Sequence, residues 1–238
     1  DRRVLEEDLR DALARDEIWL AYQPVVNAQT NIVTGFEALM RWNHPERGNI
    51  SPALFLPIAE EANMIGELGE WALRKACEEA ATWPGKMKVA VNVSPIQFAK
   101  DTLPKVIKEA LSHSGLAPGR LELEITESVF LQDSDDTDAK FQALKDIGVR
   151  LALDDFGTGY SSLGSLTAFP FNKIKIDKSF IADLTRNYKS TAIVCTIVTL
   201  ASGLDMSVTV EGVETREQFE RLKALGVNFA QGYLMGLP

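Results

Sequence analysis

The chain has 238 residues, 45% hydrophobic and 25% charged, with 34 acidic against 25 basic side chains and a formal charge of −9. That is enough apolar material for one sizeable core and too even a mixture for a disordered or fibrous chain. The acidic balance argues against long nucleic acid held by counterion release. Cys77 and Cys195 lie too far apart for a CxxC pair, which leaves neither a disulfide framework nor a zinc module and suits a cytoplasmic protein.

In chain order, Leu5, Leu9 and Leu13 recur at helical spacing and make residues 1–14 an entry helix. "WLAYQPVV" and "NIVTGFEALMRW" flank a turn-like "NAQTN" and read as a hairpin, hence an antiparallel pair. Two helices follow, Ser51 to Met64 with Pro52 in its first turn, and Gly66 to Thr82. The rhythm then changes to short apolar strands, "KVAVNV", "RLELEIT", "VRLALDD", "NKIKID", "MSVTVEG" and "NFAQGY". Helical stretches lie at Leu103 to His113, Asp135 to Ile147, Ser190 to Gly203 and Arg216 to Leu225.

Such alternation implies parallel sheet. With the hairpin, about eight strands are present, and a closed barrel of this kind needs ~250 residues. We therefore expect an α/β fold, a TIM-like (β/α)8 barrel with one antiparallel strand, as a single domain over 1–238. The apolar runs are strand-length and no leader precedes them, so no membrane contact is expected of this stretch. A first residue of Asp1 rather than Met leads us to expect a piece of a longer protein, which could carry an anchor elsewhere.

Acidic and amide side chains recur at the C-terminal ends of these strands. Glu37 interrupts the second, Asn92 follows "KVAV", Glu124 sits in "LELEIT", Asp154 and Asp155 close "RLAL", and Glu211 closes "SVTV". In a barrel those ends share one mouth, where active sites are built. Clustered carboxylates raise one another's pKa and need partners. A hard divalent cation such as Mg2+ or Mn2+, preferring about six oxygens, resolves that cost. Lys175, between Ile174 and Ile176, is the cation expected to point into the mouth.

Any one of these acids alone would more simply be a helix cap or a solvated loop residue, and Lys175 alone could be a structural ion-pair partner of Asp177 or of another acid. His44 and His113 are not at ligand spacing and read as surface residues, Cys195 as core filler, and Trp42, Trp71, Trp83 and Phe141 as packing. "DDFGTGYSSLG" begins like a dinucleotide loop at Gly157 and Gly159. Ser162 then takes the third glycine's place, and a mobile loop over the mouth is the better reading.

"YQPVV", "FEALMRW", "VNVS", "EITES", "DDFGTGYSSL", "KIKID", "EGVET" and "QGYLMG" occur in the order and spacing of one family. The chain resembles an EAL-domain cyclic di-GMP phosphodiesterase over essentially its whole length. The resemblance implies a barrel with one reversed strand and hydrolysis of cyclic di-GMP to linear 5′-pGpG in bacterial signalling. It implies Glu37, Asn92, Glu124, Asp154, Asp155 and Glu211 as ligands of two Mg2+ or Mn2+ ions, with Ca2+ inhibitory. Lys175, with Glu211 and Glu37, would be catalytic. Arg41 would contact phosphate, and Gln23, Glu214 and Gln231 would line the substrate site. Glu127 would tie down the loop that begins at Asp155.

Two cations would neutralise the phosphodiester, lower the pKa of a shared water and stabilise the leaving 3′ oxygen in an in-line displacement. The resemblance further implies a homodimer, through the loop and helix after "DDFGTGYSSL", and sensor or cyclase domains in the parent chain. Val210, Met235 and Leu237 depart from the usual pattern at positions that hold no ligand. Two other readings use the same residues. One is a cyclic di-GMP receptor with little turnover, and the other is a metal-dependent barrel acting on an enolisable acid.

Overall fold

A computed structural model describes residues 2–131, 134–157 and 163–238. Helix α1 (Arg2–Ala12) leads into the hairpin of β1 (Ile18–Asn27) and β2 (Val33–His44), whose end folds back as a short strand β3 (Gly48–Ile50). Helices α2 (Pro52–Glu61) and α3 (Ile65–Thr82) precede β4 (Lys88–Val93), the short α4 (Pro95–Ala99) and α5 (Leu103–Ser114). The alternation continues through β5 (Leu121–Thr126), α6 (Ser134–Ile147), β6 (Arg150–Phe156), α7 (Leu163–Ala168) and β7 (Lys173–Ile176). It ends with α8 (Tyr188–Gly203), β8 (Ser207–Val210), α9 (Arg216–Ala224) and β9 (Phe229–Ala230).

The strands run β1-β9-β8-β7-β6-β5-β4-β2, and pairing of β1 with β2 closes the ring, leaving β3 outside on the edge of β2. Strand β1 is antiparallel to both neighbours, while β2 and β4 through β9 pair in parallel around the barrel and β3 pairs antiparallel with β2. The expected barrel with one reversed strand is thus the observed one. Strand β3 and helix α4 were not legible, because three and five residues are too few to show a period.

Alternation within the strands decides what enters the barrel. In β5, Leu121, Leu123 and Ile125 join the apolar layer under the helices, and Glu122 and Glu124 are buried with them in sequence but paired with lysines. In β7 the isoleucines do the same while Lys173 and Lys175 face the acids: Lys173 Nζ donates to Glu122 at 2.6 Å and Lys175 Nζ to Glu124 at 2.5 Å. A smaller apolar cluster of Leu5, Leu9, Ile18, Trp42, Phe55 and Leu68 seats α1 and α2 against the hairpin.

Three placements correct the sequence reading. His44 is buried rather than superficial: its Nδ1 accepts the backbone N–H groups of Glu46 and Arg47, and its Nε2 lies 3.1 Å from Asp8 Oδ2. Cys195 is exposed, not core filler. The run "TAIVCTIVTL" is apolar on every side of α8, so its periodicity cannot say that Val194, Ile197 and Ala201 form the buried face. Of the partners offered for Lys175, Asp177 instead accepts the N–H of Ser179 at the start of a 3-10 turn, and the ion pairs are made with other acids. Among the described residues no helix is long and apolar enough to cross a membrane.

Candidate active site

Glu37, Asn92, Glu124, Asp154, Asp155, Lys175 and Glu211 come together at one mouth of the barrel. Lys175 is 1% exposed and sits at the centre. Its Nζ is 2.5 Å from Glu124 Oε2, 2.7 Å from Glu211 Oε1, 3.3 Å from Asp154 Oδ1 and 3.5 Å from Glu37 Oε2. Glu37 is held from its other side: Asn92 Nδ2 donates to Oε1 at 2.7 Å and Gln231 Nε2 to Oε2 at 2.6 Å. Gln231 Nε2 also donates to Gln23 Oε1 at 2.9 Å, and Gln23 stands directly opposite Glu37 across the hairpin.

Neighbours in an ideal strand point to opposite faces, so Asp154 and Asp155 should diverge. They do not, because Asp155 turns into the left-handed region (φ 53°) and the pairing of β6 with β7 shifts register between Leu153 and Phe156. Aspartate tolerates that conformation better than most residues. Carboxylate oxygens of Asp154, Asp155 and Glu211 consequently lie within 4.8 Å of one another. The next turn is held by Glu127, whose Oε1 accepts the N–H of Gly157 at 3.0 Å, with Gly157 at φ 92°. The remainder of the glycine-rich loop, with Gly159 and Ser162, lies outside the described residues.

Five carboxylates around one ammonium cannot all be ionised comfortably. Burial pushes the Glu37 carboxyl up, but the Lys175 ammonium and the amides of Gln231 and Asn92 outweigh it and hold it below the usual range. Glu124, equally buried and facing Glu37, goes well above it despite Lys175. Burial raises Glu211 to about 7, and burial together with Asp154 raises Asp155. Burial alone would lower the Lys175 ammonium, yet Glu124, Glu37, Asp154 and Glu211 keep it firmly protonated. Surplus negative charge on hard oxygens, with three carboxylates converging at the rim, fits a divalent cation.

Two cavities flank this cage and share Leu39. One, of about 260 Å3, is lined by Gln23, Glu37, Glu211, Glu214, Gln231 and Tyr233. The other, of about 360 Å3 and more apolar, passes Arg41 and Asn92 and runs under α2 and α3. Every residue singled out from the sequence therefore lies in the cage, in a cavity wall or, for Glu127, one hydrogen bond behind it. Arg41 and Glu214 touch none of the caged carboxylates: Arg41 Nη1 donates to the carbonyl of Met40, and Glu214 is exposed.

The sequence reading missed the lower ion pair of Lys173 and Glu122, although "LELEI" and "KIKI" both show the necessary alternation. It also missed the wall residues Leu39, Glu60, Gln97, Lys178 and Tyr233, whose spacing carries no signal.

A closed α/β barrel with an acidic, lysine-centred mouth between two ligand-sized cavities has the form of a metal-dependent enzyme acting on an anionic substrate. The family model described as "EAL domain" matches residues 6–238, and the chain belongs to the EAL domain family. Among relatives, it is 49% identical over its whole length to an uncharacterised protein of Sinorhizobium fredii, and 42% identical, over 98% of its length, to the bifunctional diguanylate cyclase/cyclic di-GMP phosphodiesterase MucR of Pseudomonas aeruginosa. The chain spans only 29% and 35% of those two proteins.

A solved structure described as the MucR phosphodiesterase in complex with c-di-GMP superposes with a TM-score of 0.94 at 42% identity, covering 99% of this chain and 97% of that one. The calcium/c-di-GMP complex of Klebsiella pneumoniae BlrP1 gives 0.81 at 31% identity, covering 94% and 56%.

Proposed function

We propose that this domain hydrolyses cyclic di-GMP to linear 5′-pGpG with two Mg2+ or Mn2+ ions, and that Ca2+ inhibits it. The observation that carries this reading is the cage of Glu37, Asn92, Glu124, Asp154, Asp155 and Glu211 around Lys175, set between two cavities that meet at Leu39. The relatives that bind or split cyclic di-GMP support the choice of substrate. Bound to the six oxygen-bearing side chains, the cations would supply charge neutralisation at the phosphodiester and a water acidified towards neutrality.

The chain's own groups do the rest. The Lys175 ammonium, dry and held by four carboxylates, presents a fixed positive charge to the phosphoryl oxygens as negative charge grows there. Gln231 and Asn92 clamp Glu37 in one rotamer. Arg41 supplies a planar fork for phosphate from the more apolar cavity, and Gln23, Glu214 and Gln231 line the other half of the site. Glu127 holds Gly157 and so the turn that aims Asp155.

We propose further that residues 1–238 are a single output domain of a cytoplasmic part of a longer signalling protein with sensor or cyclase domains, and that the domain pairs with a second copy. The deciding experiment incubates the purified domain with cyclic di-GMP and Mg2+ or Mn2+ and follows pGpG by chromatography at several protein concentrations. Product is expected, and none at enzyme levels comparable to substrate refutes the proposal.

A further inference from the structure

Beneath the cage, at the opposite mouth of the barrel, the charge balance reverses. Strands β4, β6 and β7 begin on Lys88, Arg150 and Lys173, and the second residue of β5 is Glu122. Glu122 and Lys173 are 2% and 7% exposed, while Lys88 and Arg150 are half-buried. Lys173 Nζ, 5.0 Å from the centre of the Phe229 ring, donates to Glu122 Oε1 at 2.6 Å. The other oxygen, Oε2, is buried without a hydrogen-bond partner among the described residues, and so is Arg150 Nε, which stops 3.9 Å away. A cavity of about 20 Å3, lined by Lys88, Glu122, Lys173 and Phe229, opens beside them. Gly35, paired with Lys88 across β2 and β4, is part of its wall, and a Cβ there would run into the Lys88 carbonyl.

Three cations against one carboxylate leave two positive charges in surplus, in a chain whose formal charge is −9. Burial, then Arg150 and, more weakly, Lys173, hold the Lys88 ammonium below its usual range, although Glu122 opposes them. A single water has room in the cavity and could bridge the two unpaired atoms, but it leaves the surplus charge unanswered. We propose that this mouth binds inorganic hydrogen phosphate. Its P–OH donates to Glu122 Oε2 from within the cavity, and its charged oxygens accept from Arg150 Nε and the Lys88 ammonium. The dianion matches the surplus charge, and its one proton is what the unpaired carboxylate oxygen lacks. Sulfate has the same shape and charge but no proton at neutral pH. It would set an oxygen lone pair against a buried carboxylate, so it is rejected by chemistry rather than by size. The site stands apart from the caged acids and needs neither metal nor cyclic dinucleotide.

The test titrates the purified, metal-free domain with inorganic phosphate and with sulfate at pH 7.5 and constant ionic strength, by calorimetry with thermal melts alongside. The unsubstituted domain, Lys88→Met and Arg150→Gln are compared. Saturable phosphate binding to the unsubstituted domain is expected, about tenfold or more tighter than sulfate, with the melting temperature raised by about 3 °C at saturation. Each substitution should weaken phosphate binding about tenfold or more. Without phosphate, Lys88→Met should melt at or above the parent, because it relieves like-charge repulsion, so its loss of binding is not loss of fold. Sulfate binding as tight as phosphate shows a response to charge alone and overturns the proposal. Absence of saturable phosphate binding, or phosphate affinity unchanged in both variants, overturns it equally. Hydrolysis of cyclic di-GMP enters none of these measurements, so this site and the functional reading above stand or fall separately.

Discussion

The backbone N–H of Asp155 donates to Oδ1 of its own neighbour Asp154 at 3.0 Å, with Asp155 in the left-handed region. This local turn converts a sequence pair into a spatial pair, and it separates two roles of Asp155 that substitution can distinguish. Asparagine tolerates the same conformation but lacks the charge. We expect Asp155→Asn to fold with a melting temperature equal to or above that of the parent in EDTA, and to lose at least 100-fold in divalent-dependent turnover. Thermal melts beside a product assay check both halves, and retained turnover would remove Asp155 from the cation site.

That turn also marks where the sequence stops being readable. The barrel was legible because "LELEIT" and "KIKID" alternate and because helices fill the gaps between strands, a periodicity set by the geometry of each element. Gathering of the acids followed from strand ends sharing one mouth. Convergence of Asp154 and Asp155 did not follow, since alternation alone sends them apart and a positive φ is a tertiary outcome. Nor was the place of Gln97 in the cavity wall readable: Gly69, against which its side chain packs, is 28 positions away and matters only once α3 and α4 touch. Cys195 failed for the opposite reason, an apolar helix without a polar side to orient it.

Lys175 is expected to be structural as well as catalytic. Removing it leaves Glu37, Glu124, Asp154 and Glu211 without their shared counter-charge, and breaking a buried ion pair from one side costs about 3–5 kcal/mol. Lys175→Met should therefore melt well below the parent in EDTA. Millimolar Mg2+ should recover much of that stability, with turnover still lost. Equal melting of the two proteins in EDTA would contradict the central ion-pair network.

The metal-free domain should become less stable as pH rises. A carboxyl whose folded pKa is raised binds its proton more tightly in the native state, so its contribution is present at low pH and is lost as pH climbs from the unfolded value towards the folded one. Glu211, raised from 4.5 to about 7, places that window between those values, and Glu124 and Asp155 shift in the same direction. Glu37, held low, contributes oppositely, but its window lies below 4.5. Melts in EDTA at pH 5, 6, 7 and 8 should fall by on the order of 5 °C across the series, and Glu211→Gln should flatten the slope. A melting temperature that rises over this range would reverse the electrostatic account.

Glu127 offers the cleanest separation of support from chemistry. It touches none of the caged carboxylates in the described hydrogen bonds, and its work is done through one contact, Oε1 accepting the N–H of Gly157. Its other oxygen, Oε2, is buried without a partner among the described residues, and among them the Gly157 bond is the one that holds the carboxylate. Glu127→Ala should free the Gly157 turn and let Asp155 leave its left-handed setting, lowering kcat about tenfold to 100-fold. Raising the Mg2+ concentration should recover part of the loss, since a displaced ligand weakens cation affinity first. Glu127→Gln keeps a carbonyl oxygen for Gly157 and should retain most of the activity. If alanine and glutamine behave alike, the negative charge of Glu127 matters rather than its grip on the turn, and the positioning role assigned to it is wrong.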